Sequence, residues 1–276
     1  MKIKAQAKVN LALDVVGIME NEYHELDMIM APVSLYNEIE IHPSQQDLIT
    51  CDTMNLPKNS TIHRTLQVLK EKKPDLSHYH IHVIKHIPDQ AGLAGSSADA
   101  AAVFKAVCAM EGLSMELDEQ LKLAARIGAD VSFCMVNRFA RVKGIGEKIE
   151  CITTDWKLPC LLVKPSFGIS TPQAFQLWES GDQCSIDVSQ IQKCIEQKDY
   201  NSLMRTMQNA LETPAFMLQP SLKKLKESME KFDLDRVMMT GSGSCLMGFS
   251  FNQEVLLQTQ KYFSNQGYFS QIVTIG

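Results

Sequence analysis

The 276-residue sequence contains no run approaching the ~20 apolar residues that a membrane helix needs. It has no Lys/Arg block and no basic stripe. Its 27 Lys and Arg are mixed along the chain with 32 Asp and Glu, for a net charge of -5. That balance argues against a nucleic-acid partner. None of the eight cysteines forms a C-x-x-C pair, and a chain this long can build a core without disulfide staples. The thiols therefore read as reduced, mostly core residues. The opening stretch MKIKAQAKVNLALDVVGI has no long apolar segment of a secretory leader. The expectation is a cytoplasmic protein without membrane contact. There is no internal repeat, no G-x-x-x-x-G-K-[ST] and no G-x-G-x-x-G. His78, His80 and His82 alternate on one strand face, but no Cys or carboxylate stands at ligand spacing. No metal site is expected there.

What is present is the composition of a globular chain, 45% hydrophobic and 21% charged. The length suits one large or two modest domains. In AKVNLALDV, Val9, Leu11, Leu13 and Val15 share one face of a strand, and Lys8, Asn10, Ala12 and Asp14 share the other. Further strands are expected at Met28–Ser34, Asn37–His42 and Tyr79–Lys85, with a helix over Thr61–Lys72. Two helices follow, Ser97–Met110 and Glu116–Ile127, each ended by a glycine. A short apolar piece, Val131–Val136, leads to a strand near Phe139–Val142.

Near residue 150 the organisation changes. KLPCLLVKPS reads as a buried strand, and helices are expected at about 187–197, 199–211 and 219–231. DRVMMTGSGSCLMGFS reads as strand, glycine turn, strand. A helix at about 252–265 and a strand in YFSQIVTI close the chain. SGDQCS, at 180–185, reads as a loop. The pattern predicts a mixed α+β, two-lobed protein. Its expected domains are residues 1–152 and 153–276.

PDQAGLAGSSADAA, from Pro88 to Ala101, is the stretch with the most chemistry in it. Gly92 and Gly95 permit close backbone approaches that a side chain would block. Ser96 and Ser97 are placed to cap the helix that follows, and a helix start binds phosphate through its open N–H groups and dipole. Alone, the stretch is equally a turn leading into a capped helix.

It has company. PDQAGLAGSSADAA resembles the central phosphate motif of the GHMP kinases. AKVNLALDVVGIMENEYHEL, GADVSFCM and MTGSGSCLMGFS resemble further motifs of that family at the expected places. The resemblance runs from residue 5 to about 250. Its K-x-N start and Y-H pair are closest to one branch, which phosphorylates the 2-hydroxyl of 4-diphosphocytidyl-2-C-methyl-D-erythritol in the non-mevalonate route to isoprenoids.

The resemblance implies a two-lobed fold, with a ribosomal-protein-S5-domain-2-like N-terminal lobe and a ferredoxin-like C-terminal lobe. It implies an ATP-dependent kinase of a small cytidine-diphosphate substrate, with Mg²⁺ carried by ATP. Asp130 would be the general base, and Lys8 would hold it ionised and help neutralise transition-state charge. Asn10 would orient the substrate. Tyr23 and Phe175 would flank the cytosine, His24 would bond its edge, Thr171 would contact the substrate phosphates, and Gly241 would lie in a turn that approaches the substrate. Lys85, Gly92, Leu93, Ala94, Gly95, Ser96 and Ser97 would hold ATP. Gly243 would let the second glycine turn approach the phosphate loop.

The match has departures. Ala94 and Ser96 stand where the branch has glycines, Ala98 where it has its second serine, and Ser60 where it has asparagine. Ser132 replaces a proline, and Glu22 replaces the glycine before Tyr23. Two other readings therefore stay open here. One is a GHMP kinase of homoserine or a mevalonate-type acid. The other is an inactive ligand-binding paralogue. Lys8 and Asp130 are both retained, which weighs against the second.

Overall fold

Strand β1, Lys2–Ile18, is buried on both faces through its middle, not on one. Val9 and Leu11 are fully buried, as the alternation requires, but so are Lys8, Asn10 and Asp14, at 4%, 1% and 3% exposure. An isolated strand lysine would be expected at the surface. Burying such groups is costly unless they are partnered, so β1 itself points to the functional residues.

The computed structural model describes residues 1–20, 22–181 and 185–276. Half of the predicted loop at 180–185 lies outside the described residues, as does one position of the GIMENEYHEL stretch. The chain divides into two compact units. One comprises residues 1–8, 35–87 and 94–137, and the other comprises 9–34, 88–93 and 138–276. The units interleave along the sequence, because β1 and β2, His24–Ser44, contribute to both.

In the first unit, the second half of β2 pairs antiparallel with β4, His78–Ile84. β3, Leu48–Cys51, pairs parallel with β4 on its other side. Helices α1 (Thr61–Lys72), α2 (Gly95–Met110), α3 (Leu117–Ile127) and α4 (Val131–Val136) complete the unit, and α2 packs on α1 and α4. The helix α1 was legible from its apolar spacing, and the structure adds Ser60 as its N-cap, accepting from His63 N. The apolar piece Val131–Val136 is a helix, which at six residues is too short for its period to show in the sequence. Thr50 Oγ1 lies 3.1 Å from His80 Nε2 and 2.9 Å from His82 Nδ1. His80 and His82 thus share a threonine hydroxyl, while His78 Nδ1 lies 3.2 Å from Asp47 Oδ1.

In the second unit, β5 (Ala140–Gly144) pairs with the first half of β2 and with β6 (Lys148–Cys151). Next comes the order β2, β10, β7, β9, β8, with β7 at Leu158–Lys164, β8 at Arg236–Met239, β9 at Leu246–Phe249 and β10 at Phe269–Ile275. β7 is central and fully buried at Cys160–Lys164. Among the described residues, six helices belong to this unit: α5 (Thr171–Glu179), α6 (Val188–Gln197), α7 (Tyr200–Thr206), α8 (Glu212–Leu218), α9 (Pro220–Met229) and α10 (Gln253–Asn265). The expected helix over 199–211 is shorter. α7 ends at Thr206, because Gln208–Ala210 bonds to Leu13 through its backbone. Met28–Ser34 and Asn37–His42 are one strand, β2, since no turn residue separates them.

Candidate active site

In the first unit, Lys8 Nζ lies 3.6 Å from Asp130 Oδ2. The lysine side chain is 5% exposed and the aspartate 35%. Gly128 ends α3, and Asp130 stands at the start of α4 with no side-chain cap bond. Its carboxylate is thus not used in capping and meets Lys8 instead. A buried cation beside a solvent-reaching carboxylate suits a base that takes a proton from a bound alcohol. One turn on, burial and the charge of Asp130 push the Cys134 thiol well above its ordinary range. It stays a neutral wall of the site.

The helix α2 begins at Gly95, two residues earlier than expected. Ala94 turns the chain into it with φ 55°, and no side chain caps it. Ser96 and Ser97 therefore do not cap but occupy the first turn, with Ser96 exposed. The first-turn N–H groups and dipole of this 16-residue helix form an anion-binding end. A Cβ at Gly95 would stand 3.1 Å from Ile87 Cγ2 and 3.6 Å from Lys85 Nζ. Lys85 is beside the loop as expected, but it also meets Asp99 Oδ2 at 3.7 Å, with both side chains nearly buried. Asn37 Nδ2 donates to Asp99 Oδ1 at 2.8 Å, and Asn37 Oδ1 accepts from His86 N and Ile87 N. Sequence reasoning missed Asp99 and Asn37. The available signal was one acid in an alanine run, four residues after Gly95 and so on its helix face.

In the second unit, residues 88–93 are knitted to the turn between β8 and β9. Ser244 N donates to Gln90 O and Cys245 N to Ala91 O, both at 3.2 Å. At Gly92, φ 72°, a Cβ would stand 2.2 Å from Thr240 O, and at Gly241, φ 57°, one would stand 2.8 Å from Gly92 O. Only glycine fits these positions. Asn209 Nδ2 donates to both Met239 O and Gly241 O, fixing the turn from beneath. Asn10 N donates to Thr240 Oγ1 at 2.8 Å, and Asn10 Nδ2 to Met28 Sδ at 3.3 Å. Thr171 Oγ1 lies 2.7 Å from Ser242 Oγ. Asn10, Thr171, Gly92, Leu93, Gly241 and Gly243 thus belong to one unit.

His24, at the start of β2, stacks on Phe175 with ring centroids 4.3 Å apart at 24°. Trp178 meets it edge-on at 6.1 Å and 82°. His24 Nε2 lies 2.8 Å from Glu179 Oε1. Tyr23 is 60% exposed. Phe175 and Trp178 face His24 because they lie three residues apart on α5, a helix that no spacing in the sequence predicted. Glu179 and Trp178 were missed with it. Asp14, on the same face of β1 as Asn10, accepts from Ile186 N at 3.1 Å, and burial raises its pKa.

Two family models match this chain: GHMP kinases N terminal domain over residues 60–138, and GHMP kinases C terminal over residues 191–268. A 4-diphosphocytidyl-2-C-methyl-D-erythritol kinase of Bacillus cytotoxicus is 35% identical over 250 residues, 89% of this chain and 86% of the relative. The chain belongs to the GHMP kinase family. A kinase of the same name from Clostridium kluyveri is 34% identical to this GHMP kinase over 90% of each chain. A crystal structure of 4-(cytidine 5'-diphospho)-2C-methyl-D-erythritol kinase superposes with a TM-score of 0.84 at 28% identity, covering 100% of this chain and 99% of the other. The Streptococcus pneumoniae phosphomevalonate kinase shares the fold alone, with a TM-score of 0.72 at 15% identity. The mixed α/β GHMP fold and the ATP-dependent kinase class therefore hold for this chain. No helix among the described residues is long and apolar enough to cross a membrane.

Proposed function

We propose that this GHMP kinase transfers the γ-phosphoryl group of ATP to the 2-hydroxyl of 4-diphosphocytidyl-2-C-methyl-D-erythritol. The products are the 2-phosphate and ADP, a step toward isoprenoid precursors in the cytoplasm. The observation that carries the chemistry is the Lys8–Asp130 pair at 3.6 Å. The substrate follows the relatives above.

Asp130 takes the hydroxyl proton as the oxygen attacks phosphorus, and the bond to the β-phosphate oxygen breaks. Lys8 stands beside that carboxylate and offsets charge on the transferred group. Gly92, Leu93, Ala94, Gly95, Ser96 and Ser97, with Lys85, hold ATP. Asn10, Thr171 and Gly241 orient the substrate. Tyr23, His24 and Phe175 bind its cytosine. Among the described residues no group of three or more His, Cys, Asp or Glu could hold a metal. Mg²⁺ carried with ATP would be held mostly by phosphates and water and would supply charge neutralisation there. Residues 1–152 form the domain carrying base and nucleotide loop, and 153–276 the domain completing the substrate pocket. The matches at 60–138 and 191–268 support that division.

The test is ADP release with ATP and Mg²⁺ on 4-diphosphocytidyl-2-C-methyl-D-erythritol, homoserine and mevalonate in parallel. Turnover with the cytidine substrate alone, lost in Asp130→Asn, is the expected outcome. Turnover with homoserine or mevalonate in its place would overturn the substrate.

A further inference from the structure

Glu179 belongs to none of the family motifs, yet it makes the one polar contact of the His24 ring among the described residues. A glutamate carboxylate at neutral pH only accepts hydrogen bonds. At 2.8 Å from Glu179 Oε1, Nε2 of a neutral His24 must therefore carry the ring hydrogen. The other nitrogen, Nδ1, is then a lone-pair acceptor. The ring cannot swing freely to exchange these roles. Phe175 lies against one face at 4.3 Å, and Trp178 abuts its edge at 6.1 Å. A partner on one imidazole nitrogen setting the role of the other is a general property of histidine.

We propose that Glu179 is a specificity-positioning residue. By holding the hydrogen of His24 on Nε2, it presents Nδ1 as an acceptor for the exocyclic amino group of cytosine. Uracil carries a carbonyl oxygen at that position. Two acceptors would then face each other in a partly buried site, and the loss of a satisfied pairing falls on binding of the wrong base. The inference rests on the cytosine reading of the His24 site given above. It adds the atom that reads the base and the residue that sets it.

Glu179→Gln is the discriminating variant. A glutamine amide can donate as well as accept, so it supports either tautomer, and Nδ1–H can then donate to the uracil carbonyl. Glu179 is 41% exposed, and the change keeps its shape, so the thermal transition serves as the check on folding. The experiment measures CDP and UDP binding by calorimetry, cytidine- against uridine-substrate turnover, and the ¹⁵N spectrum of the His24 ring. The wild type should favour CDP over UDP by roughly ten- to a hundredfold, with the proton on Nε2. Glu179→Gln should bring the ratio to within about threefold of unity with both tautomers populated. Its loss on the cytidine substrate should fall on KM rather than kcat.

Equal binding of CDP and UDP by the wild type, a proton on Nδ1, or an unchanged ratio in Glu179→Gln would each overturn the inference. If CDP preference holds but 4-diphosphocytidyl-2-C-methyl-D-erythritol is not phosphorylated, the inference stands and the proposed substrate falls. If Glu179→Gln does not fold, the two wild-type readouts decide.

Discussion

Lys8 is 4% exposed, and a charge so placed persists only with a partner. Among single residues, Lys8 and the Asp130 beside it are the pair proposed to carry the chemistry. Asp130→Asn should lower kcat by roughly 10²–10⁴-fold, the usual contribution of a general base, in an ADP-release assay. Lys8→Met should do the same within about a factor of ten, and KM for ATP should change less than kcat in both variants. Glu111 tests electrostatics away from the site. It pairs with Lys73 Nζ at 2.8 Å and accepts from Ser77 N at 3.1 Å and from the Tyr79 hydroxyl. Lys73 foremost, then Tyr79 and Ser77, bring its pKa down from 4.5 to about 2. A depressed carboxylate stabilises the fold above its unfolded value, and that stability is lost as pH falls from 4.5 toward about 2. Glu111→Gln should therefore lower Tm by about 2–4 °C at neutral pH. It should also flatten the acid limb of a Tm-against-pH curve, measured by circular dichroism. An acid limb as steep as that of the wild type would count against this.

At the level of elements, the glycine turn between β8 and β9 holds residues 88–93. Gly92→Ala places a Cβ 2.2 Å from the Thr240 carbonyl oxygen at φ 72°. That backbone cannot give way as a flexible side chain would. The cost should be roughly 3 kcal/mol, seen as a lower denaturation midpoint together with a raised KM for ATP. Gly112→Ala is the control: it has a similar φ of 64° but no atom lies within 4 Å of the added Cβ, so it should show only the backbone-strain part of that cost, without a raised KM for ATP. Elements with their own period or punctuation were legible in the sequence: α1, α3, α10, and β8 and β9 around TGSGS. α5 was not, because Ser170, Thr171 and Pro172 are residues of turns as much as of helix starts, and here they start a helix with Pro172 in its first turn. α8 was hidden by its own Pro214. The start of α2 was misplaced because an alanine, not a glycine or serine, takes the left-handed turn.

Across the whole molecule, folding units and motif order do not run along the chain together. The second unit draws on residues 9–34 and 88–93 as well as everything after 137. Its β10 pairs Ile275 with Val33, far apart in sequence, and Phe269–Ile275 with β7. A fragment of residues 153–276 lacks β2 and the segment docked on the TGSGS turn. It should show no cooperative thermal transition by itself, whereas mixing it with a 1–152 fragment should restore one. Cooperative unfolding of the 153–276 fragment alone would show that these pairings are dispensable.

Motif residues and their spacing are local facts, so the family and the kinase class could be read before the chain was folded, and Lys8 and Asp130 could be nominated there as the proposed base and its partner. Period and punctuation are local too, and they revealed most helices and strands. Which residues meet is not local, and it took the folded chain to decide it. Lys8 and Asp130 are 122 positions apart, His24 and Glu179 are 155 apart, and no periodicity links them. The burial of both faces of β1 is of the same kind, since what covers a strand's polar face comes from elsewhere in the chain. That is why Asp99, Asn37, Trp178 and Glu179 were invisible until their distant partners were brought beside them.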